Sequence, residues 1–324
     1  RFADAPSFAC YTVELCAGSA GLSAQLYRKG FSVVPIDHTR NTHQQKSPCV
    51  VLDLSNDDGW KLLYRLLAQG KLFYAHGAPP CGTASRARDK PLDKSLLQQG
   101  VPEPQPLRSA AYPEGLPGLR EQDELRVQQA NAIYQRMASF FTACYDAGVR
   151  WSCENPATSY LWLTSWFQKL AKLPGVTAVV FDQCMHGGQR RVSRQWLTTC
   201  DELAELEGKC DGSHSHLPFG GKFIAGRFNF ATASEAEYPD LLCDRVAVIL
   251  AQRARNDGIT LCPPASEMEG VTLCPPESEV APMSGQGPSK IAALRAHAGR
   301  QVRGKRFPEM IPEYKREYRV TAKI

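Results

Sequence analysis

The chain has 324 residues, 43% of them hydrophobic, and a formal net charge of +5. That is enough apolar material for one large core, with a charge too mild to name a partner. No apolar run nears the length of a bilayer span, Val246–Ala251 being among the longest, and Arg1–Pro6 lacks the apolar heart of a signal peptide, so no membrane association is expected.

The elements follow in chain order. Tyr11–Cys16 reads as a strand, Ser19–Lys29 as a helix, Phe31–Ile36 and Cys49–Leu54 as strands, Trp60–Ala68 as a helix and Leu72–Gly77 as a fourth strand. Short apolar strands alternating with helices predict an α/β fold, a mostly parallel sheet with helices on both faces. Residues 83–120 carry six prolines and the basic residues Arg86, Arg88, Lys90 and Lys94. So long a connection inside a compact domain reads as a lid over a site. A helix is expected over Glu121–Tyr145, then strand Val149–Cys153, a Trp-rich helix Tyr160–Leu173, and strands Val176–Phe181 and Gln195–Thr199. A small polar insert at 201–230 and a last helix at Leu241–Arg255 complete a domain spanning 1–256.

Beyond it the composition changes twice. Residues 257–284 hold five acids and no Lys or Arg, with a tandem repeat (Gly258–Pro264, Gly270–Pro276) that reads as an extended linker; residues 285–324 are basic, net +7, and read as a disordered tail. The chain opens on Arg1 rather than Met, as expected of a fragment or of part of a longer polyprotein. Twelve scattered cysteines without a Cys-x-x-Cys pair read as small buried residues of an intracellular, reducing compartment, nuclear if the source is eukaryotic.

Three motifs fall where strands end, the edge at which such sheets bind ligands. The turn Glu14-Leu15-Cys16-Ala17-Gly18-Ser19-Ala20-Gly21-Leu22 joins a strand to a helix, and suits an adenosyl or dinucleotide cofactor. Asp37, placed for ribose hydroxyls, and Asp53, placed for an adenine amine, end the next two strands. Pro79-Pro80-Cys81 presents a thiol just past the fourth strand, and Glu154-Asn155-Pro156 an acid past the fifth. A nucleophile, a cofactor turn and an acid in this order suggest methyl transfer to a ring carbon. Gln189-Arg190-Arg191-Val192-Ser193-Arg194 could fix a base and a flanking phosphate, or orient the glutamate. Cys200, Cys210, His214 and His216 match no standard zinc finger; no metal is expected, and the insert reads as a substrate-contacting loop.

Together these residues resemble the cytosine-C5 methyltransferase family over roughly residues 11–255. The family's Asp-Leu-Phe-Ala-Gly-x-Gly-Gly is matched by Glu14–Gly21, its Gly-Pro-Pro-Cys-Gln-x-Phe-Ser by Ala78–Ser85, its Glu-Asn-Val by Glu154–Pro156, and its Gln-x-Arg-x-Arg by Gln189 and Arg191. The resemblance implies a Rossmann-like class I methyltransferase fold and S-adenosylmethionine as cofactor. That cofactor would be held by Glu14, Cys16, Ala17, Gly18, Ser19, Ala20, Gly21, Leu22, Asp37, Asp53 and Pro79. It implies Cys81 as nucleophile, Glu154 as assisting acid and Arg191 beside them, with Ser85, Arg86, Gln189 and Arg194 toward a flipped-out base.

The departures are Cys16 for Phe, Ala20 for Gly, Gly82 for Gln, and Ser193 where the second arginine belongs, with Arg194 one later. The implied partner is nucleic acid, DNA before tRNA. The alternative from another class is an inert nucleic-acid-binding relic of a mobile-element polyprotein.

Overall fold

The computed structural model describes residues 11–224, 227–230, 235–262 and 320–321. The elements are β1 (Tyr11–Leu15), α1 (Gly21–Arg28), β2 (Ser32–Asp37), β3 (Cys49–Val51), α2 (Asp58–Ala68), β4 (Leu72–Gly77), α3 (Lys94–Gln98) and α4 (Glu121–Asp146). They continue with β5 (Arg150–Pro156), α5 (Ser165–Leu170), β6 (Thr177–Asp182), β7 (Ser193–Thr198), the hairpin β8 (Gly221–Ile224) and β9 (Arg227–Phe230), α6 (Asp240–Asn256) and β10 (Val320–Thr321).

The main sheet runs β10-β3-β2-β1-β4-β5-β7-β6. From β3 to β5 neighbours are parallel; β7 is antiparallel to both β5 and β6, and β10 to β3. This is the Rossmann-like α/β fold expected from the sequence, a mostly parallel sheet with helices on both faces. Strand order reverses between β1 and β4, and the carboxyl ends of those two strands carry the glycine turn and Pro79-Pro80-Cys81.

The strands are apolar on both sides because both faces are covered. One face packs Leu15, Val34, Ile36 and Trp151 against Leu63 and Leu66 of α2 and Met137, Phe140 and Phe141 of α4. The other packs Val33, Phe73, Phe181 and Trp196 against Leu22 and Leu26 of α1 and Val246 and Leu250 of α6. Gly77 lets α4 lie directly on the end of β4: a Cβ there would stand 2.6 Å from Met137 Sδ, so a larger residue beneath the cysteine loop would force Met137 to shift.

Several expectations shift. α1 starts at Gly21, not Ser19, because Ala20 takes a left-handed conformation and caps it. β5 runs on through Glu154-Asn155-Pro156, paired with β7, rather than stopping at Cys153. The helix expected over 160–173 breaks at Thr164 into a 3-10 turn, Tyr160–Leu163, and α5. The insert is not polar throughout: Leu203 and Leu206 are buried in the α6-side core. Most of the acidic linker and basic tail lies outside the described residues. The repeat's first copy begins packed on the body, with Ile259 and Leu261 against that core and the Cys262 N–H donating to the Gly30 carbonyl at 3.4 Å. No described helix is long and apolar enough to cross a membrane.

Candidate active site

The turn from β1 into α1 is tightly wound. Cys16, Gly18 and Ala20 all have positive φ, near +55°, a conformation that costs a non-glycine residue of order 1 kcal/mol or more. At Gly18 an added Cβ would meet only His43 Cδ2, at 3.8 Å, so the turn leaves open space on that side. Asp37 at the end of β2 accepts from the Gly18 amide (2.6 Å), the His38 amide (2.7 Å) and Asn41 Nδ2 (3.1 Å), which fixes the turn against the second strand. Asp53 lies exposed beyond β3. The little burial it has works against its charge, but the Ser55 hydroxyl and amide, Asn56 and Arg40 outweigh it and hold the carboxyl below the ordinary range.

Other members of the turn serve the fold. Glu14 is buried and accepts from the Ser23 amide of α1 at 2.8 Å. Burial, aided by Asp37 and opposed by Ser23, pushes its carboxyl up to about 7. Leu22 is part of the α6-side core, and Ala17 and Ala20 pack with Cys49. Ser19 is buried, with its carbonyl taken by the Lys46 amide at 2.7 Å. Gly21 lies 3.4 Å, measured from an added Cβ, from Cys243 Sγ of α6.

Past β4, the loop carrying Cys81 is held by its carbonyls. Asn155 Nδ2 donates to the Pro79 carbonyl (2.9 Å), the Tyr134 hydroxyl to that of Pro80 (2.6 Å), and the Ala84 and Ser85 amides to that of Cys81 (2.9 and 2.8 Å). The other amide atom of Asn155, Oδ1, is buried without a partner, an acceptor one residue from Glu154. The Cys81 side chain keeps partial exposure. Burial raises its pKa first, the Glu154 carboxylate raises it further, and the Arg194 guanidinium lowers it. Cys81, Glu154 and Arg194 therefore share one electrostatic site. Gly82 faces open space: an added Cβ meets nothing within 4 Å.

Arg194, and not Arg191, reaches the acid. Its Nη1 lies 3.0 Å from Glu154 Oε1, its Nε donates to Gln183 Oε1 at 2.7 Å, and its Nη2 donates to the Glu235 carbonyl. Arg191 pairs instead with Asp182 at 3.0 Å, its side chain more than half exposed. β7 opposes Pro156 with Arg194 and Glu154 with Trp196, so Arg194 stands diagonal to Glu154 on one face of the sheet.

A buried polar chain that the motifs did not reveal ends on the same carboxylate. Glu14, His76 and Ser152 are register partners across β1, β4 and β5. Tyr74 Oη bonds Ser152 Oγ, which lies 2.7 Å from His76 Nδ1; His76 Nε2 is 2.9 Å from Tyr238 Oη, which donates to Glu154 Oε2 at 3.3 Å. Burial pushes His76 down to about 3, so its ring is neutral and serves as a hydrogen-bonding link. The only sequence signal was a histidine inside an apolar strand, with Tyr238 just ahead of the last helix.

The remaining substrate candidates are engaged locally. Ser85 Oγ accepts from the Ala87 amide and caps a 3-10 turn, Arg86–Asp89. Arg86 lies over the Tyr160 ring at 5.3 Å and pairs with Asp89. Gln189 is exposed, with its carbonyl bonded by the Leu217 amide at 2.9 Å. The segment expected as a lid has one short helix, α3, and is fastened where it returns to the body. Buried Arg108 donates to Thr83 Oγ1 (2.9 Å), the Pro113 carbonyl (2.8 Å) and Asn131 Oδ1 (2.7 Å). Between those attachments, residues 93–100 are largely exposed.

No family model and no curated protein matches the chain. Among solved structures it is similar to an E. coli prophage protein assigned to DNA modification methyltransferases, with 14% identity over 58% of this chain and 46% of that one, TM-score 0.32. It is also similar to the Entamoeba histolytica methyltransferase EhMeth, with 11% identity over 59% and 52%, TM-score 0.31. The chain thus spans about half the length of each, and both likenesses are too loose to bear on chemistry.

Proposed function

We propose that the protein transfers a methyl group from S-adenosylmethionine to carbon 5 of cytosine in DNA, through a covalent adduct of Cys81. The observation that carries this reading is the grouping of Cys81 with the Glu154–Arg194 pair beside the β1/β4 reversal.

The residues around that reversal fit the cofactor: a glycine turn with open space at Gly18, Asp37 against it, Asp53 beyond β3 and Pro79 past β4. When bound, the cofactor supplies an electrophilic methyl. The chain's own residues do the rest. The Cys81 thiolate bonds to C6 of the ring, Glu154 holds the exocyclic amine and delivers a proton to N3, and the ring's electrons shift to C5, which becomes nucleophilic. Once C5 has taken the methyl, the C5 proton leaves to water, its bonding electrons re-form the C5–C6 double bond and expel the Cys81 thiolate, and N3 returns its proton to Glu154. Arg194 favours the thiolate and orients Glu154, while Tyr238 and His76 fix the second carboxylate oxygen.

The test is transfer of labelled methyl to duplex DNA and to tRNA in parallel. Label in 5-methylcytosine of DNA, lost in Cys81→Ala, supports the reading. Label in tRNA alone moves the substrate to RNA. Cofactor binding without transfer to either overturns the enzyme reading and leaves an inert nucleic-acid-binding relic.

A further inference from the structure

We infer that Cys184, Cys210, His214 and His216 form a structural zinc site that ties the insert to the turn supporting the Glu154–Arg194 pair. One ligand atom from each of these residues lies within 4.8 Å of all the others. Cys210 Sγ is 3.4 Å from His216 Nε2 and 3.8 Å from His214 Nε2. Tetrahedral zinc, with bonds of about 2.3 Å to sulfur and about 2.0 Å to nitrogen, sets sulfur and nitrogen about 3.5 Å apart. Two thiolates and two imidazoles are a donor set that selects zinc over calcium or magnesium.

The surroundings of the four residues are organised as a ligand shell. The Gly212 amide donates to Cys210 Sγ at 3.4 Å, across a turn that Gly212 makes at φ +76°. The Cys210 amide donates to Asp182 Oδ2 at 2.9 Å. Asp211 is held by the Ser213 amide and hydroxyl and faces His214 Nδ1 at 3.9 Å, the side from which a carboxylate orients a zinc-binding imidazole. The sequence reading grouped Cys200 with Cys210, His214 and His216 but expected no metal, and that thiol is buried beside Glu202 Oε2 at 3.2 Å. Cys184, brought in by the 3-10 turn Gln183–His186 after β6, is the fourth member. Its neighbour Gln183 bonds Arg194 through Oε1 and Glu235 through Nε2. Zinc here would join residues 210–216 to that turn.

The site stands independently of the methyltransferase reading, and its test needs no activity. Metal analysis of the purified full chain should give about one zinc per chain. Zinc should fall to near zero in Cys210→Ala and in His216→Ala and stay unchanged in Cys200→Ala. If the alanine variants fail to fold, cobalt substitution of the wild-type chain decides: a tetrahedral visible spectrum with thiolate charge transfer supports the site. Zinc-free protein that takes up neither zinc nor cobalt, equal zinc in folded Cys210→Ala, or a Cys184–Cys210 disulfide in non-reduced peptide maps would overturn it.

Discussion

Glu14→Gln isolates one buried carboxyl at the head of the glycine turn. Burial raises this group from the ordinary 4.5 to about 7. At about 1.4 kcal/mol per pH unit, the folded chain is at a disadvantage of about 3 kcal/mol once Glu14 must ionise. The sign follows from proton binding. Between the two values the folded chain keeps a proton that the unfolded chain has released. Stability from this group is therefore full below about pH 4.5, falls as pH rises, and is gone above about pH 7. Glutamine keeps an oxygen for the Ser23 amide and has no charge to bury. Urea unfolding of both proteins across the pH range should show them similar in acid and the variant more stable by about 2–3 kcal/mol near pH 8. Comparing the two cancels the other titrating groups. A variant whose stability declines with pH as steeply as the wild type, or that gains nothing near pH 8, would refute the reasoning.

The two arginines should behave oppositely. Arg194→Met leaves Glu154 buried without its partner and should cost about 3–5 kcal/mol in chemical denaturation, together with methyl transfer. Arg191→Ala breaks a pair whose arginine is mostly exposed and should cost under about 1 kcal/mol; equal losses would put the family's arginine role back on Arg191. Alkylation of Cys81 by iodoacetamide, followed by peptide mass spectrometry, should be slow at neutral pH and accelerate only above the ordinary thiol range of about 8.5. Glu154→Gln should shift that profile to lower pH; a shift to higher pH would contradict the electrostatic coupling. Gly82→Gln should fold with wild-type stability, because the space beside Cys81 is open, and a loss above about 1 kcal/mol would show that the loop packs differently.

Much of this was legible because the strands of a sheet covered on both faces are continuous apolar runs, and each run ended at its motif. What the sequence could not supply is register. Arg194 reaches Glu154 only because β7 returns antiparallel with Pro156 opposite Arg194, and a linear motif read one residue off points to Arg191. His76 and Ser152 meet because they are partners across β4 and β5, and Tyr238 arrives from 162 residues downstream of His76. Cys184 was hidden for the same reason: it joins Cys210, His214 and His216 only after β6 turns back. Glu14 illustrates the converse, since its place in the glycine-turn motif was plain while its contact, the Ser23 amide, is a helix-capping one.

The central claim is a covalent bond between Cys81 and the target base. Incubating the chain and S-adenosylmethionine with duplex DNA whose cytosines carry fluorine at C5 tests it, because the fluorine blocks the loss that would release the enzyme. The account predicts a denaturation-resistant complex that peptide mapping assigns to Cys81, absent in Cys81→Ala and retained in Cys200→Ala. No such complex, or one attached through another residue, would contradict it.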